Sequence, residues 1–275
     1  MKSKKKILFR WLKVFVILYC LTGIGLYYGQ DYLMFHPKPL DRKTPYKFGN
    51  ALIEEIDIPY DKQTNINIVK FLVEPRAEND TLSRPIALYF HGNKDGIAHY
   101  AAFAKDFTSH GYECWMIDYP GFGKSTGKLT EAKLYEYALL EYKLARKHAQ
   151  PRDILIYGKS LGTAVATQLA SIRDCRRLIL ECPYYSFTSL ARHYAPIYPL
   201  GSMLHYRFPT NEFISNVTAP ITIFHGDDDG LIPASNAERL KPLIKPTDQF
   251  VTIPGAGHNN LHDFPAFRQK LDSLL

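Results

Sequence analysis

Apolar residues fall along this chain in two distinct rhythms. From Val14 to Gly29 no charged residue occurs, and Val14 through Leu21 is apolar throughout, which is the composition of a membrane-spanning helix. This charge-free run is slightly short of the ~20 residues that a bilayer core needs. Leu12, a snorkelling Lys13 and the interfacial Trp11, Tyr27 and Tyr28 extend it at both ends. Further on, the runs are shorter and punctuated. Glu54 to Ile58 and Ile66 to Val73 alternate around Asp61-Lys62-Gln63-Thr64-Asn65, predicting an opening hairpin. Ile86 to Phe90, Cys114 to Ile117, Ile154 to Tyr157, Leu178 to Leu180, Ile221 to Phe224 and Phe250 to Ile253 are continuously apolar. Such runs belong to strands covered by helices on both faces. Helices are predicted near 98–109, 130–149, 161–172, 235–244 and 261–275; Leu134, Tyr137, Ala138, Glu141 and Tyr142 keep the helical period and Pro151 closes that helix. Strands alternating with helices imply an α/β fold with a mostly parallel central sheet.

One stretch breaks the alternation. Residues 183–219 carry eight Tyr and Phe residues with several prolines, too long for a simple connection between two core strands. It reads as a small aromatic-rich cap over the carboxyl edge of the sheet, where open α/β proteins bind ligands. The expected organisation is a basic tail and membrane anchor over 1–30, a juxtamembrane segment over 31–50 and a folded domain over 51–275.

Charge changes the picture once it is located. The formal net charge is +7, but Lys2, Lys4, Lys5, Lys6, Arg10 and Lys13 account for most of it, leaving the rest of the chain within one charge of neutral. A near-neutral body argues against a nucleic-acid partner. The basic cluster is expected to stay cytoplasmic, sending the folded domain to the far side of the membrane, periplasmic, extracellular or lumenal. A cleaved signal peptide is the rival, because Gly23 and Gly25 have the small-x-small spacing of a cleavage site. Of the four cysteines, Cys20 lies in the anchor, and Cys114, Cys175 and Cys182 cannot all pair; a Cys175–Cys182 bridge stays open. Asn79-Asp80-Thr81 and Asn216-Val217-Thr218 have the form of glycosylation acceptors.

The chemistry concentrates after the apolar strands. Gly158-Lys159-Ser160-Leu161-Gly162 fits G-x-S-x-G, follows a strand ending at Tyr157 and opens a helix of small residues, the strand-turn-helix of a nucleophile elbow. A serine hydroxyl is a weak nucleophile and needs a base with an orienting acid, in the chain order Ser, Asp or Glu, His. His225-Gly226-Asp227-Asp228-Asp229 follows one strand and Gly255-Ala256-Gly257-His258 the next. His258 is the expected base and Asp229 the preferred acid, with Asp228 second. His262 is expected to face solvent from the last helix. Backbone N–H groups of Leu161, after the nucleophile, and of Asn93, in the loop His91-Gly92-Asn93-Lys94-Asp95-Gly96, would form the oxyanion hole. His91 and His225 read as structural.

Taken together, His91-Gly92-Asn93, Asp118-Tyr119-Pro120-Gly121-Phe122-Gly123-Lys124-Ser125, the elbow, Pro183 through Leu190, His225 through Pro233 and Gly257-His258 resemble the α/β-hydrolases, in particular the membrane-anchored, Bem46-like group related to serine aminopeptidase S33-like hydrolases. The resemblance runs from about Ile56 to the carboxyl terminus. It implies an α/β-hydrolase fold, selects Asp229 as the acid, and makes Asp118 to Ser125 a structural turn. The chain departs from the family pattern at Lys94-Asp95, directly after His-Gly-Asn. The expected function is a serine esterase or thioesterase acting through an acyl-enzyme on acyl or lipid-like substrates. The alternatives are a non-catalytic binding or scaffold protein on the same fold, and a peptidase or acyltransferase using the same triad. The partners expected are a small ester or acyl substrate and, through the anchor, membrane lipid. The ten histidines are scattered without a neighbouring ligand set, so neither a metal nor a cofactor is implied.

Overall fold

The computed structural model describes residues 2–74 and 84–275; the Asn79-Asp80-Thr81 acceptor lies outside the described residues. One sheet of eight strands forms the centre. In chain order they are β1 (Ile53–Pro59), β2 (Asn65–Phe71), β3 (Ile86–Phe90), β4 (Glu113–Ile117), β5 (Ile154–Lys159), β6 (Arg177–Glu181), β7 (Ile221–Gly226) and β8 (Gln249–Ile253). Their spatial order is β8-β7-β6-β5-β3-β4-β2-β1. β1 and β2 form the expected antiparallel hairpin, β2 runs antiparallel to β4, and the six strands from β3 to β8 are parallel.

The continuous apolar runs have a direct structural cause. Along β3, Ile86, Leu88 and Phe90 enter one core cluster while Ala87 and Tyr89 enter another on the opposite face. A strand covered twice has no polar face to display. In chain order the longer helices are α1 (Lys2–Met34), α2 (Glu131–Ala145), α3 (Leu161–Ile172) and α4 (Phe187–Tyr194), of which α2 and α3 pack against β3. Thr130 caps α2 by accepting a hydrogen bond from the Lys133 N–H at 3.2 Å, and Leu134, Tyr137, Ala138 and Tyr142 face the core.

The N-terminal helix runs to Met34, past the boundary expected near residue 30. It contains 31 residues, Lys4–Met34, long and apolar enough to cross a membrane. Its far end does not stand apart from the body: Gln30, Met34 and Phe35 are buried. The chain then pairs His36–Pro37 with Lys94–Asp95 in a short parallel bridge. Lys94-Asp95 is the pair at which the sequence departs from the pattern it resembles. All four cysteines are free thiols, so Cys175 and Cys182 are not bridged.

Candidate functional site

Strand β5 ends at Lys159 and α3 begins at Leu161, so Ser160 alone makes the turn. It does so with φ 51° and ψ −117°, a backbone state that side chains rarely adopt. Two neighbours make the turn possible. A Cβ on Gly162 would overlap the Phe90 carbonyl, and one on Gly158 would press on the first turn of α3. The Ser160 N–H is held by the Glu181 carbonyl at 2.8 Å, and the Ser160 carbonyl accepts from Thr163 N–H at 2.9 Å.

Two other strand ends bring the remaining side chains to Ser160. His258, in the loop after β8, places Nε2 2.9 Å from Ser160 Oγ, and its Nδ1 lies 2.8 Å from Asp229 Oδ2. Asp229, after β7, accepts the N–H groups of Leu231 at 2.9 Å and Ile232 at 2.7 Å on its other oxygen. All three residues are less than a tenth exposed. Asp227 and Asp228 are exposed, and Asp227 instead accepts the Gly255 N–H at 2.6 Å. Burial alone would raise the Asp229 pKa; the His258 hydrogen bond and charge, the Ile232 N–H and His225 outweigh it and hold the carboxyl below its usual value.

The other expected residues lie beside this line. Asn93 and Leu161 border the same cavity as Ser160. The Asn93 side-chain amide donates to the Met34 carbonyl at 2.7 Å, and the Asn93 carbonyl accepts from His36 N–H at 2.9 Å. The Leu161 N–H opens α3 and has no acceptor within its own helix. His91 is buried against Tyr100 and Tyr119, and burial pushes its pKa down to about 4. His225 is buried too and places Nε2 2.9 Å from the Ile232 carbonyl, steadying the loop that carries Asp229.

His262 differs from its expected solvent-facing place. Its Nε2 lies 3.2 Å from Glu181 Oε2 and its Nδ1 3.2 Å from Asp106 Oδ2. Glu181 is fully buried beneath the elbow, paired with Lys159 and accepting from the Tyr157 hydroxyl. A buried carboxylate needs compensating charge, and His262, in the short turn Leu261–Asp263, supplies it beside Lys159. His258 and His262 are thus only four residues apart, yet they serve separate networks. Cys182, Asp229 and His258 also bring potential donor atoms within 4.8 Å of one another. Burial pushes the Cys182 thiol up, and Asp229 and both His258 nitrogens are engaged in the Ser160 line, so that grouping is poor in free donors.

Above Ser160 lies a cavity of about 400 Å³. Residues 183–219 form one side with Tyr184, Phe187, Leu190 and Leu200, and α1 forms another with Leu26 and Met34. The contribution of α1 has no counterpart in the sequence reading. A signal was present: Tyr19, Gly23, Leu26, Gln30 and Met34 recur at helical spacing, and a glycine and a glutamine on one stripe of an otherwise apolar helix mark a protein-facing side.

Residues 83–213 match the family of serine aminopeptidases, S33. A Pyrococcus furiosus esterase superposes with a TM-score of 0.65 over 87% of this chain and 98% of its own, at 16% identity. The chain has the α/β-hydrolase fold. An uncharacterized protein of Mycobacterium tuberculosis is 31% identical over 180 residues, covering 65% of this chain and 64% of that protein. The lysophosphatidylserine lipase ABHD12 of Danio rerio is 32% identical over 186 residues, covering 58% of this chain and 47% of its own length. The chain thus spans less than two thirds of the length of these curated relatives.

Proposed function

We propose that this chain is a membrane-anchored serine hydrolase that cleaves carboxylic esters or thioesters of acyl, lipid-like substrates. The observation that carries the reading is the line Ser160 Oγ, His258, Asp229, joined at 2.9 and 2.8 Å and aimed into an apolar cavity. In this reading His258 Nε2 takes the Ser160 proton as Oγ attacks the carbonyl carbon. The Asp229 carboxylate holds the Nδ1–H and stabilises the imidazolium. The oxyanion is met by the backbone N–H groups of Leu161 and Asn93; the Asn93 side chain is occupied by Met34. The imidazolium returns its proton to the departing alcohol or thiol, leaving an acyl-Ser160. Water, deprotonated by His258, then releases the carboxylic acid and restores the serine.

Ester chemistry is supported by the lipase and esterase among the similar proteins. An aminopeptidase reading, suggested by the family description, fits less well. No Asp or Glu among the described residues borders the cavity, so the ammonium of a peptide substrate would meet no carboxylate there. The basic residues before residue 14 support an N-terminus on the cytoplasmic side with the folded domain across the membrane.

The test is a fluorophosphonate probe, which phosphonylates an activated serine with loss of fluoride. Wild type is expected to label and to hydrolyse p-nitrophenyl esters. Ser160→Ala and His258→Ala are expected to do neither, with kcat reduced by about 10⁶. A correctly folded wild type that neither labels nor turns over any ester would overturn the reading. Protease protection in sealed vesicles checks the orientation.

A further inference from the structure

The cavity above Ser160 is closed on one side by the same helix that is long enough to span a bilayer. Its inner stripe is fastened to residues 197–205. The Gln30 amide donates to the Met203 carbonyl at 3.2 Å, and its oxygen accepts the His205 N–H at 2.7 Å. One helical stretch further out, the Tyr19 and Tyr198 rings stack at 4.7 Å, and each hydroxyl donates to backbone of the other segment at 3.1 Å. Gly23 lets Tyr198 approach this closely, because a Cβ there would stand 3.0 Å from the ring. The helix is therefore packed against the body over several turns.

Between these fastenings the walls are apolar. Leu26 and Leu33 of α1 line it together with Leu190, Tyr194, Leu200 and Leu204, and no charged residue among the described ones borders the cavity. Its inner end is Ser160 Oγ. From Met34, beside Asn93, to Leu26 the helix rises roughly 12 Å. An uncharged slot of that length, with a reactive oxygen at one end, matches an unbranched hydrocarbon chain whose carbonyl sits at Ser160. A phosphate or sugar headgroup would find no charged partner inside and must stay outside. The outer surface continues the same character. Tyr194, Ile197 and Leu231 are large, exposed apolar side chains next to α1, whose opposite face exposes Ile17, Leu18, Leu21 and Ile24.

We propose that α1 is a wall of the acyl-chain site, so that the anchoring helix itself selects substrates by chain length. The occupant is one acyl chain, entering from the hydrocarbon side along Leu26 with its carbonyl leading to Ser160. This rests on the serine-hydrolase reading above.

Two experiments on the full chain in detergent micelles test it. First, Leu26→Trp and Leu204→Trp narrow the slot from opposite walls. The kcat/KM for p-nitrophenyl laurate relative to acetate is expected to fall at least tenfold in each, and the volume-conserving Leu26→Met is expected to restore the wild-type ratio. Ratios equal to wild type in both Trp variants would overturn the proposal while leaving ester hydrolysis in place. Second, a long-chain alkyl fluorophosphonate carrying a terminal diazirine is attached to wild-type Ser160 and irradiated, which does not depend on any variant folding. Crosslinks are expected within residues 26–34 and 190–204. Crosslinks only elsewhere would sink the acyl-chain site alone. Failure to attach at Ser160 would remove the serine-hydrolase reading and this proposal with it.

Discussion

At the scale of single residues, buried charge decides how the site responds to pH. Burial alone would lower the His262 pKa; the Glu181 charge and the hydrogen bonds that the ring donates to Asp106 and Glu181 outweigh it, against opposition from Lys159, and raise it to about 9. A histidine raised from 6.5 contributes stability that is complete below pH 6.5 and is lost as pH rises through about 9. The difference in urea midpoint between wild type and His262→Gln is accordingly expected to be largest at pH 6 and to shrink by pH 9.5. Asp229 has the opposite sign. Its lowered pKa makes its contribution present above the ordinary carboxylate range and lost on acidification. Asp229→Asn preserves shape but offers Nδ1 the wrong partner, and kcat is expected to fall by about 10⁴ with KM little changed. Of the three carboxylates after His225 the residues alone favoured Asp229 without excluding Asp228. Which one turned inward depends on the Leu231 and Ile232 amides, a loop geometry that no residue pattern specifies.

At the scale of elements, the elbow stores strain that its neighbours hold in place. A non-glycine residue at φ 51° and ψ −117° costs roughly 1–3 kcal/mol. Ser160→Gly and Ser160→Ala both remove the hydroxyl, so their difference in stability isolates the backbone. Ser160→Gly is expected to be about 1 kcal/mol more stable by thermal denaturation. Helix α2 carries a second imposed cost. Glu141 occupies a core position of its helical stripe, fully buried, and its carboxyl oxygens have no hydrogen-bond partner among the described residues. Burial raises its pKa well above the ordinary range, so its proton is retained in the folded state and stability falls as pH climbs past the ordinary value. Glu141→Met is expected to stabilise the protein at pH 8 and to flatten this dependence. The strands were legible because burial on both faces leaves continuous apolar runs. The helices within 183–219 were not: Phe187, Leu190, Ala191 and Tyr194 keep the helical period after the Ser186 cap, but the run is only eight residues long and Pro183, Pro196, Pro199 and Pro209 interrupt the pattern around it.

At the scale of the whole molecule, the helix, the segment 183–219 and the sheet edge meet around one cavity. The Asn93 loop is tied to the end of α1 through Met34 and His36, so the position of the helix bears on the loop beside Ser160. Gln30 is a buried polar link between α1 and residues 203–205. Gln30→Leu leaves the His205 N–H and Met203 carbonyl without partners, at a cost of about 1–3 kcal/mol. Faster amide exchange over residues 197–205, with β5 and β6 unaffected, is the expected result by hydrogen-exchange mass spectrometry.

The sequence by itself determined the strand order along the chain, the elbow at Ser160, the His258 loop and a helix fit to cross a membrane. Each is written in local pattern: period, glycine placement, and the order of chemical groups after strands. Tertiary structure alone decided the recruitment of His262 by Glu181 and the docking of α1 against the cavity, and it turned inward the Asp229 that the sequence had preferred over Asp228. These depend on which surfaces meet, and an apolar helix reads the same whether its partner is lipid or protein.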